Sequence, residues 1–245
     1  MIFGFRTTLR AYAVALMVLA LPLLYFIRPR LPLAQTSLQR RLDLSFLRTT
    51  AFWIPQSANV AQGLGYFIPG IYLPTYATSQ GMTGTEGTFM LALVNMGVVF
   101  GAIWVGALTD RMHVISVMAL CSFGAVLAVF VFWGLAVSMP MLCLFSLLYG
   151  LTAGGFSATY TGIVQLVKEQ DTAADTGMIF GFLAVGRGIG ALASGPLSEA
   201  LLHMQTWKGE AKLGYGTGYG LLIVFTGITA AAGGTSFIAR RIELR

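Results

Sequence analysis

The chain has 245 residues, of which 56% are hydrophobic and 10% charged, with a mean hydropathy of +0.78 and a net charge of +6. Ordinary soluble domains carry about 25% charged residues, so a water-soluble globular fold is excluded; the long uncharged blocks read as an all-α, polytopic membrane protein. The positive balance does not point to nucleic acid, because the basic residues lie in short stretches between apolar runs, where they set orientation in a membrane.

Residues 1–10 are short and basic, and an uncharged run from Ala11 to Ile27 follows. A signal peptide is the competing reading, but the apolar part is long, no small-residue cleavage site follows it, and Arg28 and Arg30 close it. It is taken as the first span. Six more runs have spanning length: Thr50–Tyr76, Glu86–Leu108, Val114–Val137, Met139–Val164, Gly177–Leu202 and Thr217–Ala239. Seven transmembrane helices place the two ends on opposite sides of the membrane.

The loops decide which side. Arg28, Arg30, Arg40, Arg41, Arg48, Arg111, Lys168, Arg240, Arg241 and Arg245 fall on one side, against Arg6, Arg10, Lys208 and Lys212 on the other. The richer side is expected to be cytoplasmic, which puts the N-terminus outside and the C-terminus in the cytoplasm. Loop 203–216 is then external, with Trp207 and Tyr215 as interface anchors. Residues 28–49 form the longest cytoplasmic piece, either a short helix lying on the inner surface or a connector whose charges enforce topology.

Cys121 and Cys143 both lie inside apolar runs, where cysteine behaves as a small buried hydrophobe. Neither a disulfide nor a metal site is indicated, and no cofactor motif is present. Gly155-Phe-Ser157-Ala resembles a fragment of an intramembrane serine-protease motif without its second glycine, and His113 and His203 sit in loops near opposite faces. The chain does not read as an enzyme.

Glycine, at 30 residues, is spaced in stripes: Gly97 and Gly101, Gly150 and Gly154, and Gly186, Gly190, Ser194 and Ser198. Small residues four apart let helices approach closely, which makes Gly150, Gly154, Gly186 and Gly190 candidate packing positions. Gly106, Asp110 and Arg111 end the third span beside a tight turn, where the pair can link two helix ends at a cytoplasmic gate. The run from Gln62 to Pro74 holds two prolines and several glycines beside Tyr66 and Tyr72, which reads as a broken helix lining a site or gate, or as a proline kink.

Arg187 stands near the middle of the sixth run, the one basic residue inside any of the long apolar runs. An arginine there costs about 2.5–3.5 kcal/mol on insertion scales, so it is expected to face a cavity or a partner. Glu199 lies twelve residues along the same helix, about 18 Å away and too far to pair. A substrate carboxylate, a group outside this chain, or the backbone carbonyls beside Gly195-Pro196 remain as its answer.

Seven spans and an Asp-Arg pair also describe a seven-helix receptor. Met112 stands where that pattern wants a tyrosine, and the last run has neither the expected proline nor the lysine of a retinal protein. The run from Ser45 to Tyr76 resembles the seventh helix of fungal monocarboxylate-porter-like members of the major facilitator superfamily. Asn95-Met-Gly-Val-Val-Phe-Gly101 leading to Gly106, Asp110 and Arg111 is similar to the eighth. Phe182–Gly190 with Ser194-Gly-Pro196-Leu-Ser198 resembles the eleventh.

That resemblance implies the C-terminal portion of a major-facilitator fold, helices six to twelve, with residues 1–49 as sixth helix plus inter-half linker and 50–245 as a six-helix bundle. It implies transport of a small organic anion, a monocarboxylate above all and possible proton coupling, by alternating access in the plasma membrane. Substrate would meet Arg187, Asn95, Gln62 and Tyr66, and a missing N-terminal half would be required. A membrane fragment that transports nothing is the other alternative. Two departures stand out: Ala102 follows Gly101 where relatives often carry arginine, and residues 87–108 lack the acid-base pair of the proton-coupled animal branch.

Overall fold

In the computed structural model, residues 5–26, 44–205 and 207–237 are described. The chain divides into two units, Met1–Leu42 and Asp43–Arg245. The first contains α1 (Phe5–Leu24), a 20-residue helix with Pro22 inside its last turn. The apolar run expected over Ala11–Ile27 falls largely on it, with Ile27 outside the described residues; so are Arg28, Arg30, Arg40 and Arg41, most of the 28–49 piece, and the basic tail.

The second unit is a helical bundle. A 3-10 turn (Ser45–Arg48) leads into α2 (Thr50–Ser79), followed by α3 (Gly84–Thr109) and α4 (Val114–Leu127). Next come α5 (Met139–Ala153), α6 (Tyr160–Gln170), α7 (Thr176–Met204) and α8 (Gly220–Ala232). Since α5 and α6 continue one another, seven helical rods are present among the described residues, in the places the apolar runs predict. Five stretches are long and apolar enough to cross a membrane: Gly84–Thr109, Val114–Trp133, Met139–Gln170, Thr176–Met204 and Gly220–Phe237. At 30 residues α2 is also long enough, about 45 Å, but it carries more polar residues and three prolines.

Local chemistry sets the ends. Thr83 and Glu86 form a reciprocal capping box at the start of α3. Asp175 Oδ1 accepts from the Met178 amide to begin α7. The last span starts at Gly220 rather than at the expected Thr217, because Gly218 takes a φ of +90° and separates a 3-10 turn (Leu213–Thr217) from α8.

Two rods leave regular α geometry. After α4 the chain runs through a π turn (Ala128–Trp133). Tyr215 donates its hydroxyl to the carbonyl of Phe130 there at 2.9 Å, and burial pushes that phenol's pKa up. Between α5 and α6 the chain tightens into a 3-10 stretch, Gly154–Thr159. A Cβ on Gly154 would lie 2.4 Å from Val98 Cγ2, and one on Gly155 2.8 Å from the Gly101 carbonyl. The paired glycines thus let this stretch press onto α3.

α2 does not break, although its sequence predicts an interruption. It stays helical through Pro55, Pro69 and Pro74. Pro69 cannot donate to the Gly65 carbonyl four residues back, so that turn needs another donor. Tyr149 on α5 reaches it, its hydroxyl 3.1 Å from the Tyr66 carbonyl and 3.5 Å from that of Gly65. A neighbouring side chain satisfies what the ring removed, the usual condition for proline inside a spanning helix.

The bundle's apolar core forms two clusters. One holds Phe46, Phe52, Met118, Phe156, Ile163 and Leu183. The other holds Ile68, Tyr76, Trp133, Phe145, Tyr149 and Leu222. On α2 the first cluster ends at Ala58 and the second begins at Ile68; on α4 they meet between Cys121 and Ala125. The buried polar residues Asn59, Gln62, Ser122 and Thr152 lie in that gap, and so form a polar layer at mid-length.

Candidate functional site

The site grows from the contact of α2 with α7 and of α3 with α5, the most extensive helix pairings in the bundle. α7 buries Ile179, Leu183, Gly186, Gly190, Ser194 and Ser198. A Cβ on Gly190 would stand 2.8 Å from the Gly63 carbonyl carbon and from the Val60 carbonyl oxygen. On Gly186 it would meet the Gln56 amide nitrogen at 2.1 Å. The other stripe pairs behave alike: a Cβ on Gly150 would sit 2.2 Å from the Val94 carbonyl oxygen and 2.9 Å from Gly97 Cα. Backbone-to-backbone approach, available only without side chains, brings α7 near enough for polar side chains of α2 to reach it.

Three α2 residues use that proximity. Gln56 donates to the Phe182 carbonyl at 2.9 Å and Asn59 to the Leu183 carbonyl at 2.8 Å. Asn59, fully buried, also accepts from the Tyr160 hydroxyl at 2.9 Å, which ties α6 into the same cluster. Gln62 donates to the carbonyl of Ala153, the last residue of α5, at 3.2 Å.

The amide oxygen of Gln62 is then free to accept, and Arg187 Nη1 donates to it at 2.7 Å. The guanidinium also lies over the Tyr66 ring, 4.2 Å from its centroid, a cation-π contact. Among the described residues no carboxylate pairs with it. Capping of carbonyls beside Gly195-Pro196 is not what the side chain does: the Gly195 carbonyl accepts from Ser198 instead. A neutral amide and an aromatic face answer the charge.

Thus Gln62, Tyr66 and Arg187 come together. Asn95 does not join them by a hydrogen bond: its amide donates back to the Leu91 carbonyl of α3 at 2.9 Å. It shares with Tyr66 and Tyr149 the wall of a cavity of about 210 Å³ between α2, α3 and α5. Gly106, Asp110 and Arg111 sit at the far end of α3 with Asp110 and Arg111 exposed; among the described residues the two form no ion pair with each other. The open space around the Gly106 Cα shows no close neighbour.

Reading the sequence passed over Gln56, Asn59, Tyr149 and Tyr160. The signal for the first two was present, since Gln56, Asn59 and Gln62 recur every three residues and line one face of a helix. The tyrosines carried none, because their partners lie 83 and 101 residues away.

The family model of the Major Facilitator Superfamily matches residues 1–195 and, in a second overlapping alignment, residues 57–241. An MFS-type transporter of Aspergillus niger is 28% identical over 211 residues, 84% of this chain and 48% of that protein. The aspyridones efflux protein of Emericella nidulans is 27% identical over 179 residues, 72% of this chain and 35% of that protein. A transporter of Gibberella moniliformis matches 98% of this chain at 21% identity, over 55% of its own length. The chain spans about half the length, or less, of these curated relatives. With an all-helical bundle, apolar spans and a match that covers most of its length, the chain belongs to the major facilitator superfamily.

Proposed function

We propose that this chain is the C-terminal portion of a transporter for small organic anions of the monocarboxylate type, its rods corresponding to helices six to twelve of the twelve-helix fold. Arg187 binds the anion, with Gln62, Tyr66 and Asn95 as its polar and aromatic surroundings. The observation that carries this reading is the state of Arg187: a charge at mid-bundle depth held by a neutral acceptor and a ring, with no carboxylate beside it among the described residues. Such a guanidinium keeps donors for a carboxylate, which planar fork geometry suits. The superfamily membership and relatives named as efflux proteins support transport as the activity.

In this reading the anion binds between this bundle and an N-terminal half, and alternating access carries it across the plasma membrane. The N-terminus faces outside and the C-terminus the cytoplasm. Gly106, Asp110 and Arg111 close the cytoplasmic side against groups of the other half. Coupling to a proton is an extension that flux driven by a pH gradient tests.

The direct experiment completes the chain with the N-terminal half of a relative and measures carboxylate flux. Arg187→Lys is expected to weaken uptake by at least tenfold, because a point charge replaces the fork. Unchanged flux in Arg187→Ala would remove Arg187 from the site. Flux in liposomes that contain the 245-residue chain alone would show that the bundle transports without a second half.

A further inference from the structure

We infer that the anion taken by Arg187 carries a flat, conjugated ring beside its charge, and that Tyr66 selects that ring. This inference rests on the anion reading of Arg187. It adds a requirement that the charge alone does not make.

Beside its edge contact with Phe67, Tyr66 meets two further groups. One is the Arg187 guanidinium, 4.2 Å from its ring centroid. The other is Tyr149, whose ring runs nearly parallel at an interplanar angle of 19° with centroids 6.3 Å apart. The phenol of Tyr149 is anchored on the α2 backbone at Pro69, so this second ring is fixed in place. The same two tyrosines line the 210 Å³ cavity together with Phe67, Ile71, Leu91 and Val98. Tyr66 is the shared element: the guanidinium lies over its ring, and the same residue lines the cavity beside Tyr149 and an aliphatic surface.

Each part sets a requirement. The guanidinium asks for an anion. The ring edges and aliphatic wall favour a flat apolar body, since aromatic groups gain from edge and offset contact beyond simple burial. A polyhydroxylated solute would leave most of its hydroxyls unpaired against Phe67, Ile71, Leu91, Val94 and Val98, since Asn95 is the one side-chain amide in that lining. A two- or three-carbon acid satisfies the charge but leaves the cavity unfilled.

The test is equilibrium binding in nanodiscs to the chain completed with the N-terminal half of a relative, followed by calorimetry with three probes. These are 1-naphthoate, its neutral isostere 1-naphthamide, and acetate. Naphthoate is expected to bind at least tenfold more tightly than either of the others. Tyr66→Leu should lose about tenfold for naphthoate, the upper end of an aromatic pair's value, while Tyr66→Phe stays within about threefold. Arg187→Gln, or Arg187→Lys if the first does not fold, should bring naphthoate down to naphthamide. Acetate binding as tightly as naphthoate, with Arg187 still required, would overturn the ring requirement and leave the anion reading standing. Naphthoate and naphthamide binding alike, indifferent to Arg187, would overturn both. Binding of no probe to the completed protein would overturn the anion reading and the ring requirement together.

Discussion

Arg187 and Gln62 meet across the α2–α7 contact, the guanidinium donating to the amide oxygen at 2.7 Å while the amide nitrogen holds the Ala153 carbonyl at 3.2 Å. One neutral side chain therefore joins α7 to the end of α5. Gln62 and Ala153 are buried, while Arg187 is half-buried.

Replacement of Gln62 by leucine should destabilise the bundle by about 1–3 kcal/mol, since it strands the buried Ala153 carbonyl and removes the acceptor of a half-buried guanidinium. Gln62→Glu tests the electrostatics separately. The new carboxylate would pair with Arg187, so folding should survive while anion binding falls by at least tenfold. Thermal unfolding in detergent and calorimetric binding read the two effects.

The glycine contacts give a sharp contrast within one residue type. Gly190→Ala and Gly150→Ala each place a methyl within 3 Å of opposing backbone, which cannot rotate away, and should cost about 1–3 kcal/mol. Gly181 and Gly188 on the same α7 helix have nothing within 4 Å. Alanine there should be neutral or stabilise by about 0.5–1 kcal/mol through helix propensity. Unfolding midpoints of the four variants decide it.

Tyr149→Phe removes the donor shared by the Tyr66 carbonyl and the Gly65 carbonyl that Pro69 leaves open, at a cost of about 0.5–1.5 kcal/mol. Pro69→Ala returns an amide hydrogen to that turn. In the double variant the tyrosine should matter less, and a double-mutant cycle should show coupling of about 0.5 kcal/mol or more.

Asn59→Leu should be among the more damaging polar substitutions, at about 2–3 kcal/mol, because Tyr160 and the Leu183 carbonyl both lose their partner in a fully buried place. Tyr160→Phe in the same background should add little. Independent, additive losses would show that the two residues do not act through each other.

Spans were legible because membrane helices announce themselves locally: about 20 apolar residues satisfy every backbone group within one segment. The π turn after α4 and the 3-10 stretch at Gly154 were not, since both depend on what packs against them, Tyr215 in one case and α3 in the other. The expected interruption of α2 failed for the same reason. A proline's lost donor is a local fact, but Tyr149, which replaces it, arrives from another helix.

The candidate site divides in the same way. By itself the sequence determined that Arg187 is a charge within an apolar span, that Gln62 and Tyr66 lie one turn apart on another, and that glycines stripe the faces between them, because each of these follows from composition and helical period alone. Only the tertiary structure decided that Gly63 and Gly190 bring those two helices into backbone contact, and that Arg187 consequently rests on Gln62 and Tyr66, leaving Asn95 to a neighbouring cavity wall. Which acceptor a buried charge finds is set by the closest approach of helices 125 residues apart in sequence, and no local periodicity encodes that distance.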